Sequence, residues 1–181
     1  MQRNGNSNSI GQRGFTLIET AIATSIASIA LAGAMSGFGD LLQRYRLEGQ
    51  AHQLVADLQH LRFEAVSHSQ GLRVRFDSHA EGSCYVMHSG ASGGCRCDNT
   101  GVARCSAGAA EVKTVWLPAG DRVQLDANVS SLRFDPVLGT VTPTASVRLA
   151  SGTRHLNVVV NLMGRARVCT PDASMPGQRP C

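Results

Sequence analysis

Gly14-Phe15-Thr16-Leu17-Ile18-Glu19 opens the stretch that decides the fold, continuing as FTLIETAIATSIASIALAGAMSGFG over residues 15–39. Glu19 is the one charged residue in that run. About 20 apolar residues rising 1.5 Å each span a bilayer core of roughly 30 Å. The preceding residues 1–14, MQRNGNSNSIGQRG, are polar, carry Arg3 and Arg13 and hold no acid. A basic flank of this kind keeps an N-terminus in the cytoplasm. An ordinary secretory signal would place its small-residue cleavage site after the apolar run. Here the small residue, Gly14, stands before it. A carboxylate at membrane depth is costly unless it has a task, so Glu19 is marked as functional.

Outward from this run the pattern changes. After Asp40, Leu47, Ala51, Leu54, Leu58, Leu61 and Ala65 recur at steps of three and four, one apolar stripe on a helix. Gly71 is the stop, and the spacing predicts one long helix from about Thr16 to about Ser69. His52, His60 and His68 repeat every eight residues. That separation is about 12 Å of helix rise, too far to share one ion, so they read as solvated or packing residues.

The remainder reads as strands. Leu72–Phe76 alternates apolar and basic residues, and Cys84–Met87 is a second strand. Further strands are expected at Lys113–Leu117, Arg122–Leu125, Ser131–Phe134, Ser146–Leu149 and Leu156–Leu162, with turn residues between them. Closely spaced strands without intervening helices imply an antiparallel sheet, and with the long helix the fold class is α+β. Aromatic residues make up only 4% of the chain, so Leu, Val, Ile and Ala must fill the core.

Six cysteines, Cys84, Cys95, Cys97, Cys105, Cys169 and Cys181, all lie in the distal part. An even count there points to disulfides in an oxidising compartment. A zinc site from the first four would need paired C-x2-C knuckles, which C-x10-C-x-C-x7-C lacks. No metal and no cofactor is expected. The first four cysteines allow three pairings, and the sequence does not choose among them. Residues 89–110 form a Gly/Ser-rich loop that needs such staples to be ordered.

No G-x-S-x-G, H-E-x-x-H or phosphate-loop pattern occurs, and the acids are scattered, so the chain does not read as an enzyme. The distinctive charge lies at the other end. Between Pro136 and Pro171 stand Arg148, Arg154, Arg165 and Arg167, one histidine and no acid. Arg165 and Arg167, in Gly164-Arg165-Ala166-Arg167, project from one face of an extended chain. Gly164 allows a bend just before them. Such a strip suits phosphates, with backbone contact and little sequence preference.

Two motifs carry a resemblance. Gly14–Glu19 resembles the prepilin cleavage motif of type IV pilins and type II secretion pseudopilins. The resemblance implies cleavage between Gly14 and Phe15 and N-methylation of Phe15 by a prepilin peptidase. It also implies that Glu19 neutralises the terminal ammonium of a neighbouring subunit. Unlike many major pilins, the chain has no proline before Pro118, and Gly33, Gly37 and Gly39 are the residues that would loosen the helix. The second half resembles the GspH/FimT family of minor pilins and pseudopilins, and Gly164–Arg167 looks like the G-R-x-R motif of its FimT branch. That likeness implies DNA contact through Arg165 and Arg167 in natural transformation. Arg148, Arg154 and Lys113 are added from charge alone. Cys169 and Cys181 bracket a tail similar to the terminal disulfide loop of many pilins, and the oxidising compartment favours the same bridge.

The expected organisation is a leader at 1–14, a transmembrane or filament-core helix at 15–39, its amphipathic continuation at 40–70 and a β-rich domain at 71–181. The expected setting is the inner membrane, with a periplasmic domain assembled into a cell-surface pilus. Expected partners are double-stranded DNA, other pilin subunits, the prepilin peptidase and the membrane. The alternative is a structural minor pilin or secretion pseudopilin that primes filament assembly without binding DNA.

Overall fold

The computed structural model describes residues 15–172 and 175–181, without the side chains of residues 32–37. Gly14 therefore lies outside the described residues. The chain forms two compact units that divide between Asp40 and Leu41. Helix α1 (Leu17–Ser67) begins in the first and ends in the second.

In the first unit, Thr16 caps the helix, its Oγ1 accepting from the Glu19 backbone N–H at 3.3 Å. Thr20, Thr24, Ser25 and Ser28 donate their hydroxyls to carbonyls three or four residues back, at 2.8–3.0 Å. These bonds satisfy polar groups inside the helix and leave Leu17, Ile18, Ile22, Ile26 and Ile29 as an exposed apolar exterior. α1 runs without interruption through Gly33, Gly37 and Gly39. Among the described residues no helix is long and apolar enough to cross a membrane. The apolar run continues through residues 32–37, whose side chains fall outside them.

In the second unit the helical stripe is buried as its spacing predicts. Leu47, Ala51, Leu54, Leu58, Leu61 and Ala65 are all 0% exposed. They join one core with residues of two antiparallel sheets, where the sequence led us to expect a single sheet. The strands are β1 (Leu72–His79), β2 (Gly82–Ser89), β3 (Cys95–Cys97), β4 (Ala103–Cys105), β5 (Glu111–Pro118), β6 (Gln124–Ala127), β7 (Ser131–Phe134), β8 (Val141–Thr142), β9 (Ala145–Ser151), β10 (Arg154–Val160) and β11 (Ala166–Cys169). One sheet runs β5-β2-β1-β7-β8, the other β11-β10-β9-β6, and β3-β4 form a separate ribbon. β6 starts two residues later than expected. A 3-10 turn at Ala119–Asp121 ends in left-handed Arg122 (φ 58°), which delays the extended chain.

β2 is buried on both faces. Tyr85 and Met87 join the main core, while Cys84 and Val86 face a smaller one with Cys95, Cys97 and Trp116. The smaller core is the underside of the cysteine-rich loop, closed by Cys84–Cys97 and Cys95–Cys105. Asp77 lies close to Cys84 and Cys97, but both sulfurs are committed to their bridge. Two of the long-helix histidines, His60 and His68, share Glu64 at 3.9 and 3.2 Å, and both are largely exposed.

Leu58 sits at the centre of the stripe with no exposed surface. Leu58→Ala is expected to lower unfolding free energy by about 2–5 kcal/mol, the range for emptying a closed core site, measurable by denaturant unfolding in detergent.

Candidate nucleic-acid interface

The arginines of interest sit on the β10–β11 hairpin. Leu156, Val158 and Val160 turn inward as expected, but Leu162 does not. β10 ends at Val160, the chain turns over Asn161–Gly164, and Leu162 and Met163 are 60% and 57% exposed. The turn is tightly bonded. Asn161 N–H donates to the Arg165 carbonyl at 3.1 Å, and Gly164 N–H to the Asn161 carbonyl at 2.9 Å. The Asn161 side-chain oxygen accepts from Arg165 N–H at 3.0 Å.

Gly164 has φ +72°, a region that disfavours any residue with a Cβ. A Cβ there would strike the Gly139 carbonyl and approach Arg62 Nε to 2.9 Å. Arg62, on α1, donates from Nε to that same carbonyl at 2.8 Å. One helical arginine thus holds the Asp135–Gly139 loop, against which Gly164 packs. β8 adds a second tie, its Val141 N–H donating to the Leu162 carbonyl at 2.9 Å. Nothing in the sequence signals Arg62 for this task, because its partner is a backbone carbonyl 77 residues away.

Ladder parity sets the faces. Val158 pairs with Val168 and Val160 with Ala166 on the core side, whereas Val159 pairs with Arg167 on the outer side. The Asn161–Arg165 bonds continue the ladder one step, so Arg165 keeps the parity of Arg167. Both are exposed, and among the described residues neither forms an ion pair. On β9, Arg148 also faces outward, diagonally across β10 from Arg167, through the pairs Asn157↔Arg148 and Val159↔Ser146.

The other residues chosen by charge fare differently. Asp126 of β6 stands directly opposite Arg148, an acid brought in from outside the acid-free segment. Arg154 is half-buried and already engaged. Lys113 is not with the others. It lies on β5 of the other sheet, 2.7 Å from Asp57, whose second oxygen accepts the Tyr85 hydroxyl at 2.8 Å. Burial, then Asp57, pushes the Tyr85 phenol far above its usual range. Asp172, the acid nearest in sequence to the hairpin, is 2.8 Å from His155.

Cys169 and Cys181 are joined, and the tail they close is docked. Met175 is 1% exposed within the core, and Arg44 donates to the Pro176 carbonyl at 2.8 Å. At the other end of the chain, Phe15 is 80% exposed. Glu19 occupies the third position of a Thr-x-x-Glu cap, a local role that its spacing from Thr16 could have revealed.

The sequence matches the family described as type II transport protein GspH over residues 50–164. The chain belongs to this GspH family. Residues 10–35 match the prokaryotic N-terminal methylation motif. The GspH match ends at Gly164, immediately before Arg165. Two crystal forms of the Pseudomonas aeruginosa type IV minor pilin FimU are similar in structure at 17% identity. The P65 form has a TM-score of 0.50, with 73% of this chain and 98% of that one covered. For the P21 form the values are 0.49, 75% and 96%. At this identity the likeness is one of fold, and the GspH-family chain shares a pilin-like helix-and-sheet architecture. No curated protein matches the sequence significantly.

Gly164→Ala is expected to destabilise the domain by at least about 1–2 kcal/mol, the cost of a left-handed backbone for a residue with a Cβ, with the contact against Gly139 added. Gly152→Ala, also at positive φ (59°) but with open space around it, isolates the backbone part. The measurement is the difference in melting temperature between the two variants.

Proposed function

We propose that this GspH-family subunit is a minor type IV pilin that binds DNA through Arg165 and Arg167 for uptake in natural transformation. The observation that carries this reading is the pair of exposed arginines on one outward face, without ion pairs among the described residues, directly after a turn held in place by Gly164 and Arg62. Guanidinium groups presented this way take phosphate oxygens bidentately. The segment from Pro136 to Cys181 holds no Phe, Trp or Tyr, so contact is to the backbone and salt-sensitive rather than base-specific. Arg148 contributes less, because Asp126 faces it.

In this reading the subunit is cut between Gly14 and Phe15 by a prepilin peptidase, methylated at Phe15 and held in the inner membrane by residues 15–39. From there it enters a cell-surface pilus with other pilin subunits, Glu19 pairing with a neighbour's terminal ammonium. The methylation-motif match supports the processing step. The competing reading is a structural minor pilin or secretion pseudopilin that primes assembly without DNA. The exposed Leu162 and Met163 favour it, since apolar groups beside the arginines suit a protein contact better than a phosphate backbone.

Duplex binding by the full chain in detergent decides between them. R165Q/R167Q is expected to lose roughly a hundredfold in affinity or more, at about 1.5 kcal/mol per charge-assisted contact and tenfold per 1.4 kcal/mol. Binding that is unchanged in the variant and indifferent to salt would sink the DNA reading. For processing, Gly14→Val should leave the precursor at full length on a gel. A precursor still shortened to the mature size would refute cleavage at this position.

A further inference from the structure

A second arginine pair lies on the outward face of the five-stranded sheet. Arg73 of β1 and Arg133 of β7 are direct cross-strand partners. Their Cα atoms are therefore about 5 Å apart. Like charges directly opposite one another destabilise a sheet unless an anion sits between them. Burial, and then the charge of Arg133, pulls the Arg73 guanidinium below its usual range.

Among the described residues neither Arg73 nor Arg133 forms an ion pair. On the same row, His88 is fully buried, its ring Nδ1 engaged with the Ser89 carbonyl and its Nε2 without a hydrogen-bond partner among the described residues. Glu111, beyond His88, accepts the Thr114 hydroxyl at 2.6 Å. On the other side, Arg133 pairs with Thr142. The other two carboxylates on this face are committed as well. Asp77 holds Arg75 at 3.0 Å and the Cys97 N–H at 3.2 Å. Asp135 accepts the Val137 and Leu138 N–H groups at 2.9 Å, and those bonds, with Arg133 behind them, keep its carboxyl below the usual range. Three guanidiniums on this face therefore meet three carboxylates, Asp77, Glu111 and Asp135, each already bonded to another group. Arg73 is pinned by its Nε on the Gly90 carbonyl at 3.2 Å, and Arg133 packs over Gly71, where a Cβ would lie 2.9 Å from Nη2. Both guanidiniums are thus partly ordered before any ligand arrives.

We propose that Arg73 and Arg133 form a second phosphate-binding site, gripping the same nucleic-acid backbone as Arg165 and Arg167. The proposal rests on the DNA reading above. The two sites adjoin through the sheet edge. β7 pairs with β8 at Phe134↔Val141, and Val141 N–H bonds the Leu162 carbonyl in the turn that leads to Arg165. From β1 to that turn is three strand spacings, about 14 Å. Over that length a duplex presents roughly eight phosphates, one per ~1.7 Å of axis. Both arginine pairs lie on the sheet faces turned away from the main core.

The test is duplex binding by the full chain in detergent, followed against salt. R73Q/R133Q is expected to lower the slope of log K against log salt by about 1.8, two contacts at ~0.9 each. The charge-matched pair R96Q/R104Q, on the β3–β4 ribbon, should leave it at the wild-type value. Melting temperature monitors the fold, and removal of the like-charge contact should hold or raise it. If R73Q/R133Q melts lower, Arg133→Gln alone is read, with an expected fall of about 0.9. A wild-type slope in R73Q/R133Q while R165Q/R167Q still lowers it overturns the second site and leaves the first intact. An equal fall from the control pair also overturns it, since diffuse charge would then explain the effect. A wild-type chain that does not bind duplex removes both.

Discussion

The second unit depends on the burial of one helical stripe. Leu47, Ala51, Leu54, Leu58, Leu61 and Ala65 form a seam from which water is fully excluded, shared by residues of both sheets. At about 25 cal/mol per Å² of apolar surface removed from water, such a seam outweighs any single polar contact in the domain. With few aromatic side chains available, packing of small aliphatic groups does this work. The consequence for the hairpin is positional. The same helix that supplies the stripe supplies Arg62, so the β10–β11 hairpin is referenced to the core through one side chain.

The polar contacts then select geometry. Arg62 fixes the Gly139 carbonyl, Gly164 packs against that carbonyl, and Arg165 follows in ladder register. Each link leaves little tolerance, because a Cβ at Gly164 has no space. The cysteine-rich loop is held differently, by two disulfides over a small core that includes Trp116. The C-terminal tail combines a bridge, a buried Met175 and a contact from Arg44. A domain with sparse aromatic residues thus orders its long loops by covalent closure and local anchors.

Electrostatics shows how folding rearranges charge. The segment from Pro136 to Pro171 holds no acid, yet sheet pairing sets Asp126 against Arg148, and the tail sets Asp172 against His155. Lys113 is drawn to Asp57 on the helix. Arg165 and Arg167 escape this neutralisation because they leave a tight turn at the edge of the sheet, away from the acid-bearing strand β6. Arg73 and Arg133, unremarkable in sequence, become a like-charged pair only through the β1–β7 register.

The sequence by itself determined whatever depends on local period and spacing. The helix and its buried stripe follow from steps of three and four, and β1 with its inward Leu72, Val74 and Phe76 follows from alternation. The motif from Gly14 to Glu19 and the exposed parity of Arg165 and Arg167 are equally local. Tertiary structure alone decided the division into two sheets, the pairing of the first four cysteines and the end of β10 at Val160. It also decided which arginines keep their charge unopposed. The physical reason is that these outcomes depend on partners far apart in the chain, such as Arg62 with Gly139 or Arg73 with Arg133. No local pattern encodes contacts that exist only once the core has closed.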